Sequence, residues 1–206
     1  TIGRRQRQMC IRDSHYLMSR GLDEESAVAL GEDNVVFGEA AVAMGDDNLS
    51  FGTSSTAIGE ANWVFEDFGI GIGVDNTADS IGSIAIGSRN TVSNFEATAI
   101  GIENIASGLG ASVFGEFSEA NGTSATALGS VAIADADAST AVGYDAYALG
   151  LNSLAVGSFV TADGEGSIAI GSNNVASGKF SQAHGAFTTA HSAFEQVHGV
   201  GNTPYI

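Results

Sequence analysis

Residues 82–88 and 166–172 both read Gly-Ser-Ile-Ala-Ile-Gly-Ser, and residues 152–158 read Asn-Ser-Leu-Ala-Val-Gly-Ser. The second glycine of the first two strings, and the single glycine of the third, belong to a series that recurs every fourteen residues without an insertion. Fourteen residues are too few for a helix pair or a propeller blade, but they suit one coil of two short strands and two turns. The series predicts an all-β solenoid of about thirteen stacked coils, with turn glycines at Gly31, Gly45, Gly59, Gly73, Gly87, Gly101, Gly115, Gly129, Gly143, Gly157, Gly171, Gly185 and Gly199.

Two columns of small residues accompany these glycines. One lies two residues before each turn glycine, and the other lies half a coil later. Because alternate residues of a strand face opposite sides, two facing columns of alanine predict a narrow interior between two closely spaced sheets. The columns are Ala29, Ala43, Ala57, Gly71, Ala85, Ala99, Ala127, Ala141, Ala155, Ala169 and Ala183, and Ala78, Ala106, Ala120, Ala134, Ala148, Ala162, Ala176 and Ala190.

Asparagine recurs three residues after the turn glycine, from Asn34 and Asn48 to Asn174 and Asn202. Glycine and asparagine are the residues that best tolerate a positive φ. The repeated Gly-x-x-Asn therefore predicts a turn in every coil.

A column of large apolar residues lies directly before the turn glycines, on the side that faces away from the alanine interior. On the other side of the coil the equivalent column begins with Phe37, Phe51 and Phe65 and then becomes mostly polar. An apolar stripe of this length exceeds what a monomer usually exposes, so we expect identical chains to cover it by cyclic association. The predicted interface residues are Leu30, Met44, Ile58, Ile72, Ile86, Ile100, Phe114, Leu128, Val142, Val156 and Ile170.

The strings at 82–88, 152–158 and 166–172 resemble the head repeats of YadA-type trimeric autotransporter adhesins of bacterial outer membranes. The resemblance spans residues 26–199. It implies a left-handed parallel β-roll, a homotrimer, and display at the tip of a fibre on the cell surface, outside the cell and tied to the outer membrane. It also implies a function in adhesion and virulence, in which the head binds an extracellular matrix protein such as collagen or another surface ligand.

In that family, repeats of the Asn-Ser-Val-Ala-Ile-Gly type have been tied to matrix binding. The corresponding candidates for ligand binding in this chain are Asn152, Ser153, Leu154, Ala155, Val156, Gly157 and Ser158. These residues are also what each coil needs in order to fold.

The sequence departs from the family pattern because the neck, the coiled-coil stalk and the membrane-embedded barrel are missing from it. We therefore expect a fragment of a longer fibre. Residues 181–190 and 195–205 also resemble repeats of phage tail fibres, so a structural or receptor-binding segment of a phage fibre is the alternative function.

The composition excludes several classes of function. The formal net charge is −17, and beyond residue 20 the only basic residues are Arg89 and Lys179, so we expect no binding to nucleic acid. No apolar run is long enough to span a membrane, which predicts no direct membrane insertion by this segment. Cys10 is the only cysteine, and no arrangement resembles a catalytic triad or a phosphate loop. We predict no enzymatic activity, no cofactor and no bound metal.

Residues 1–20 are basic and do not follow the period, and no apolar stretch of the kind found in a signal peptide follows them. We interpret them as a disordered or foreign leader and residues 21–206 as the β-roll head domain. Any export signal then lies outside this chain.

Three further groups of residues are candidates for function. His184 and His198 fall in the apolar column, so in a trimer each would form a ring of three imidazoles, able to hold a metal or an anion or to sense pH. We interpret them, together with His191, as a more hydrated end of the interface, where the head meets the next segment. The acids of successive turns, such as Asp46 and Asp47, match no calcium loop and are interpreted as solvated. The aromatic column that begins at Phe37, joined by Trp63 and Phe68, is either an exposed binding strip or the packing of the first end of the rod.

Overall fold

Each repeat of the chain folds as a five-residue strand, a turn, a two-residue strand and a second turn. The computed structural model describes residues 27–201, and the leader predicted for residues 1–20 lies outside this range. The five-residue strands are β1 (Val28–Glu32), β3 (Val42–Asp46), β5 (Thr56–Glu60), β7 (Ile70–Val74), β9 (Ile84–Ser88), β11 (Thr98–Ile102), β13 (Ser112–Glu116), β15 (Thr126–Ser130), β19 (Ile168–Ser172), β21 (Gln182–Ala186) and β23 (Gln196–Val200).

The two-residue strands alternate with these. They are β2 (Val35–Val36), β4 (Leu49–Ser50), β6 (Trp63–Val64), β8 (Thr77–Ala78), β10 (Thr91–Val92), β12 (Ile105–Ala106), β14 (Glu119–Ala120), β16 (Ile133–Ala134), β20 (Val175–Ala176) and β22 (Thr189–Ala190). In β17 (Thr140–Ala148) and β18 (Leu154–Ala162) the long and the short strand run together as one strand of nine residues.

Strand pairing joins each coil to the next in one constant register. The long strands pair with the long strands of neighbouring coils and the short strands with the short strands, so that Ile86 lies beside Ile100 and Val92 beside Ala106. Each pair is parallel and joins residues fourteen apart. The described residues form an all-β parallel solenoid of about 12 turns, which confirms the fold class predicted from the period. The left-handed winding stays a prediction.

The interior of the solenoid consists almost entirely of small side chains. Both predicted columns of alanine are buried, and Ala85 and Ala106 have no exposed surface. The largest apolar side chains that are fully buried are valines such as Val64, Val92 and Val113. The two sheets therefore approach closely, and every large apolar side chain of the repeat is pushed to the outside.

The turn glycines are required because neighbouring coils touch there through their backbones. These glycines have φ between 117° and 142°, a range that side chains rarely adopt. A Cβ at Gly101 would also overlap the carbonyl oxygen of Gly115 in the next coil. The glycines predicted to lie in turns occupy the fourth position of each long strand, two residues before the positive-φ residue of the turn.

The turn predicted by Gly-x-x-Asn is present, and the asparagine lies directly after its positive-φ residue. The positive-φ residue is the one before each asparagine, for example Asp47 at 53°, and Asn48 itself is buried. The side chain of Asn90 donates to the carbonyl oxygens of Ile86 (3.0 Å) and Gly101 (2.8 Å) and to Oδ1 of Asn76 (2.9 Å). The asparagines form a buried ladder of hydrogen bonds along the rod, in which they satisfy buried carbonyl groups beside the predicted turn.

The ladder runs from Asn34 to Asn104 and is then interrupted. The ladder ends at Ser118, whose backbone N–H donates to Oδ1 of Asn104 at 3.0 Å. Ala132, Ala146 and Val160 occupy the same column in the three coils that follow, and all three are buried. The long and short strands become continuous only at Ala146 and Val160, within β17 and β18, so loss of the asparagine precedes the straightening of the strand.

Substitution of a turn glycine tests the close contact between coils. We expect Gly101→Ala to destabilise the fold by roughly 3–5 kcal/mol, because strain at a positive φ adds to the overlap with the carbonyl of Gly115. Gly110→Ala is the matched control, because Ala40 and Ser54 occupy the equivalent position at a similar φ. It should cost only about 1 kcal/mol. Urea unfolding followed by circular dichroism measures both, and equal losses would contradict the contact between backbones.

Substitution within the ladder tests the function of the buried asparagines. We expect Asn90→Ala to lower the free energy of unfolding by about 2–4 kcal/mol, since it leaves buried polar groups of two neighbouring coils without partners. Thr91→Ala, one residue along the chain and exposed, should change it by less than about 1 kcal/mol. The same urea titration applies, and a mild effect of Asn90→Ala would show that water satisfies these groups instead.

Candidate interaction surfaces

The eleven residues predicted as an interface form a stripe along the outer face of the long strands, called here the long-strand stripe (Leu30, Met44, Ile58, Ile72, Ile86, Ile100, Phe114, Leu128, Val142, Val156 and Ile170). Each lies next to a buried residue of the interior column, as Ile86 lies next to Ala85. In the single chain Phe114 is 38% exposed and Leu128 is 46% exposed. The side chains thus point away from the interior, as the alternation of the strand predicts.

The neighbouring outward column widens this apolar surface in part of the rod. Two residues before the stripe, Ile70, Ile84, Leu154 and Ile168 are half-buried, whereas the other coils carry valine, threonine, serine or glutamine there. Backbone pairing sets these residues directly above one another, so Ile70 lies beside Ile84. The result is one continuous apolar band on a single face.

The short-strand side begins with a stack of aromatic rings. The ring centroids of Phe37 and Phe51 are 4.3 Å apart with planes 10° from parallel, and those of Phe51 and Phe65 are 6.1 Å apart. Trp63 meets Phe65 edge to face at 6.4 Å, while Phe68 in the next turn is 61% exposed. Phe37, Phe51 and Trp63 are exposed, Phe65 is half-buried, and the rings pack on one another at the first end of the rod, while binding by this column stays a prediction.

A second exposed apolar run was missed by the sequence analysis. Ile81, Phe95 and Leu109 are exposed and occupy one position of the second turn in three successive coils. Their spacing of fourteen residues is the signal that would have identified them. Large residues in turns do not mark an interior or a strand face, so alternation alone gives no reason to select them.

The charged surface of the described residues is acidic. Arg89 pairs with Glu103 and Lys179 pairs with Glu165 at 2.6 Å, each acid lying one coil from its partner. Both pairs are largely exposed, so each adds little to stability. Residues 27–201 contain no other lysine or arginine, so the remaining acids set the potential of the surface.

The predicted acidic turns are arranged as expected from the period. Asp46 and Asp47 are exposed, as are the corresponding Glu32 and Asp33. Within residues 27–201 of one chain, no group of three or more histidine, cysteine, aspartate or glutamate side chains is placed to hold a metal ion.

The histidines of the last coils lie on two different faces. His184 and His198 continue the column of the long-strand stripe, and their ring centroids are 4.8 Å apart. Partial burial, and then the neighbouring imidazole of His198, lower the pKa of His184 below its ordinary value. His191 lies on the short-strand side, where its Nδ1 is 2.9 Å from the hydroxyl of Ser177.

The candidate ligand motif 152–158 is divided between inside and outside. Ser153 and Ala155 are buried, whereas Leu154 and Val156 face outward on the same side as the long-strand stripe. Asn152 is exposed in the preceding turn, where its φ is 56°. The seven residues are therefore contiguous in sequence but do not form one surface.

The comparisons with known proteins agree with the repeat. The family model described as "YadA head domain repeat (2 copies)" matches residues 24–48, 67–90, 106–132, 134–159 and 162–190, which is more than half of the chain. A search of curated proteins found no match. The stretch 49–66 lies outside the matched segments, yet it carries β5 and β6 in the same register as its neighbours. The described residues include no helix of the length and apolarity that a membrane span needs.

Proposed function

Because the chain belongs to the YadA head family and forms an adhesin-type head domain, we propose that three copies associate along the long-strand stripe and attach a cell surface to an external ligand. The observation that carries this proposal is the long-strand stripe itself, eleven large apolar side chains in successive coils on the outside of a rod. Membership of the family supports a trimer in particular.

The dimensions of the interior explain why association is needed. A core of alanine buries little apolar surface per residue, and the large apolar side chains of the long-strand stripe lie outside that core. A cyclic assembly brings the same stripe of each chain to a common axis and removes it from water. Stability of the head then comes from stacked backbone hydrogen bonds within each chain and from apolar packing between chains.

The faces that remain outside the trimer are the surfaces for ligand binding. They repeat every coil and occur three times in the assembly, so weak individual contacts combine through a high effective concentration. Since the described surface is acidic, it attracts ligands that carry basic patches. An extracellular matrix protein is the class of ligand that this proposal names.

The arrangement of the motif 152–158 restricts which of its residues can touch a ligand. In the proposed trimer Leu154 and Val156 are covered by the partner chains, and Ser153 and Ala155 lie inside the coil. Asn152 is exposed in the turn and stays accessible, so it is the residue of this motif that we expect to make contact.

The oligomeric state tests the proposed interface. We expect Ile86→Asp to convert trimers into monomers or aggregates, because it places a charge within the apolar band. Ser93→Asp, on the exposed opposite column, should leave the mass at three chains. Light scattering coupled to size exclusion measures both masses. The assignment of the faces fails when the two variants have equal masses.

Binding to immobilised collagen tests the proposed function. We expect the wild-type chain to bind and Asn152→Gly to bind several-fold more weakly. Glycine occupies the equivalent position in the strings 82–88 and 166–172, so this change should leave the fold intact. Asn173→Gly, at another exposed positive-φ turn, is the control that should bind normally.

Surface plasmon resonance with wild type and both variants gives the affinities. A trimeric wild type that binds neither collagen nor any other matrix protein would contradict the proposed ligand class. Equal weakening by both substitutions would show that Asn152 has no specific contact.

A further inference from the structure

The short-strand side of the first three described coils carries a compact apolar patch, called here the short-strand patch (Val35, Phe37, Leu49, Phe51, Trp63 and Phe65). These six residues fill the two outward columns of the three coils, and the columns become polar at Thr77 and Asp79 in the next coil. Phe37, Phe51 and Trp63 are between 39% and 49% exposed. A contiguous exposed apolar patch of this kind is typical of a binding surface.

The short-strand patch is held in place by the backbone and by its own rings. The N–H of Phe37, for example, donates to the carbonyl of Ser50 in the next coil at 2.9 Å. The rings of Phe37 and Phe51 stack with centroids 4.3 Å apart, and Trp63 packs edge to face against Phe65. A partner therefore meets groups that are already ordered, so little conformational entropy is lost on this side of the contact.

Carboxylates surround the short-strand patch. Asp33 and Asp47 lie in the turns that precede its short strands, and Glu39 and Glu66 lie in the turns that follow them. Asp79 continues the column of phenylalanines into the next coil. All five side chains belong to exposed residues, so the apolar surface has an acidic rim on three sides.

The first coils contain no cation that would balance these acids. Residues 27–88 include no lysine, arginine or histidine, and their ten acids give the segment a formal charge of −10. Such a surface attracts positively charged partners and repels acidic ones. The acids are Glu32, Asp33, Glu39, Asp46, Asp47, Glu60, Glu66, Asp67, Asp75 and Asp79.

The combination of an apolar centre and an acidic rim specifies the chemistry of the occupant. We propose that the short-strand patch binds a basic segment of a partner protein, in which arginine or lysine alternates with large apolar residues. The apolar side chains of this segment cover Phe37, Phe51 and Trp63, and its cations reach the carboxylates of the rim. Arginine also stacks on aromatic rings, most favourably on tryptophan, so Trp63 is a position for a guanidinium group.

The short-strand patch stays accessible in the proposed trimer. The short and long strands face opposite sides of the narrow interior, so the trimer covers the long-strand stripe and leaves three copies of the patch outside. Three copies allow multivalent attachment. The proposal rests on the attachment function proposed above, for which it names the contact surface and the chemistry of the partner.

The fluorescence of Trp63 reports directly on this surface, because the chain has no other tryptophan. The experiment titrates the full chain with a synthetic peptide in which four arginines alternate with three leucines. We expect saturable binding and a shift of the emission to shorter wavelength, since the peptide removes the indole from water. A peptide with glycine in place of the leucines has the same charge and should bind about tenfold more weakly, because it buries no leucine.

Substitutions with residues found in the same column separate the patch from the acidic surface as a whole. The double variant Phe37→Ser with Phe51→Ser introduces the residue type of Ser93 and Ser107. It should bind the leucine peptide about tenfold more weakly, since less apolar surface is covered. Leu149→Ser removes an exposed apolar residue of the same column in a distant coil, and it is the control that should bind as the wild type does.

A second pair of variants tests the acidic rim. Asp79→Asn removes a carboxylate beside the patch, and Asn121 occupies the equivalent position in a later coil. We expect binding to weaken severalfold at low salt and the difference to shrink at high salt. Asp163→Asn changes the net charge by the same amount in the same column but far from the patch, so it should bind nearly as the wild type does.

The outcomes separate the short-strand patch from the proposed function. No shift of the emission, equal affinity for the two peptides, or unchanged binding by the phenylalanine variant would each overturn the patch. A wild type larger than three chains that becomes a trimer in the phenylalanine variant would identify a second copy as the occupant and overturn the basic segment.

Binding to collagen gives the remaining distinction. Collagen binding that is unchanged in the phenylalanine variant would overturn the patch as the contact surface and leave the attachment function intact. Peptide binding at the patch by a wild type that binds no matrix protein would support the patch and overturn the ligand class proposed above.

Discussion

The contact between the backbones of successive coils at the turn glycines is the constraint on which the rest of this structure depends. At Gly101 and its equivalents a Cβ would overlap a carbonyl oxygen of the next coil, so the spacing of the coils leaves no room for a side chain. This contact holds each strand fourteen residues from its partner and keeps the register constant along the rod. Because the register is constant, equivalent residues of successive coils lie above one another and form a column along the rod.

The columns explain how a thin rod becomes an interaction surface. Inside the coil, alanine is the residue that fits between the two sheets, and the asparagine ladder satisfies carbonyl groups that water does not reach. The large apolar residues have no place in such an interior and are arranged on the outer face of the long strands. The feature that makes the single coil possible, a very narrow core, therefore also leaves an apolar band that needs a partner.

The period, the glycine column and the alternation between inside and outside could be predicted from the sequence, because each depends on residues that are close together in the chain. The function of Asn90 could not be predicted from the sequence. Its hydrogen-bond partners Asn76 and Gly101 lie fourteen and eleven residues away and contact it only after the coils have stacked. The left-handed conformation of Phe117, at φ 52°, could not be predicted either, because phenylalanine does not favour a positive φ. The stacked turns impose that conformation, with Phe117 donating its N–H to the carbonyl of Ile102 at 2.9 Å. Of the candidate surfaces, the stripe could be predicted from alternation, whereas the run that begins at Ile81 lies in turns where alternation gives no information.

The most direct test of a narrow coil that requires partners is small-angle X-ray scattering of the full chain on an absolute scale. We expect a particle with the mass of three chains, whose solenoid has a length set by about thirteen rungs roughly 4.8 Å apart, or roughly 60 Å. A rod with the mass of one chain would show that the apolar band is exposed to solvent on a monomer. That result would contradict the central claim that the exposed long-strand face is completed by two further copies of the same chain.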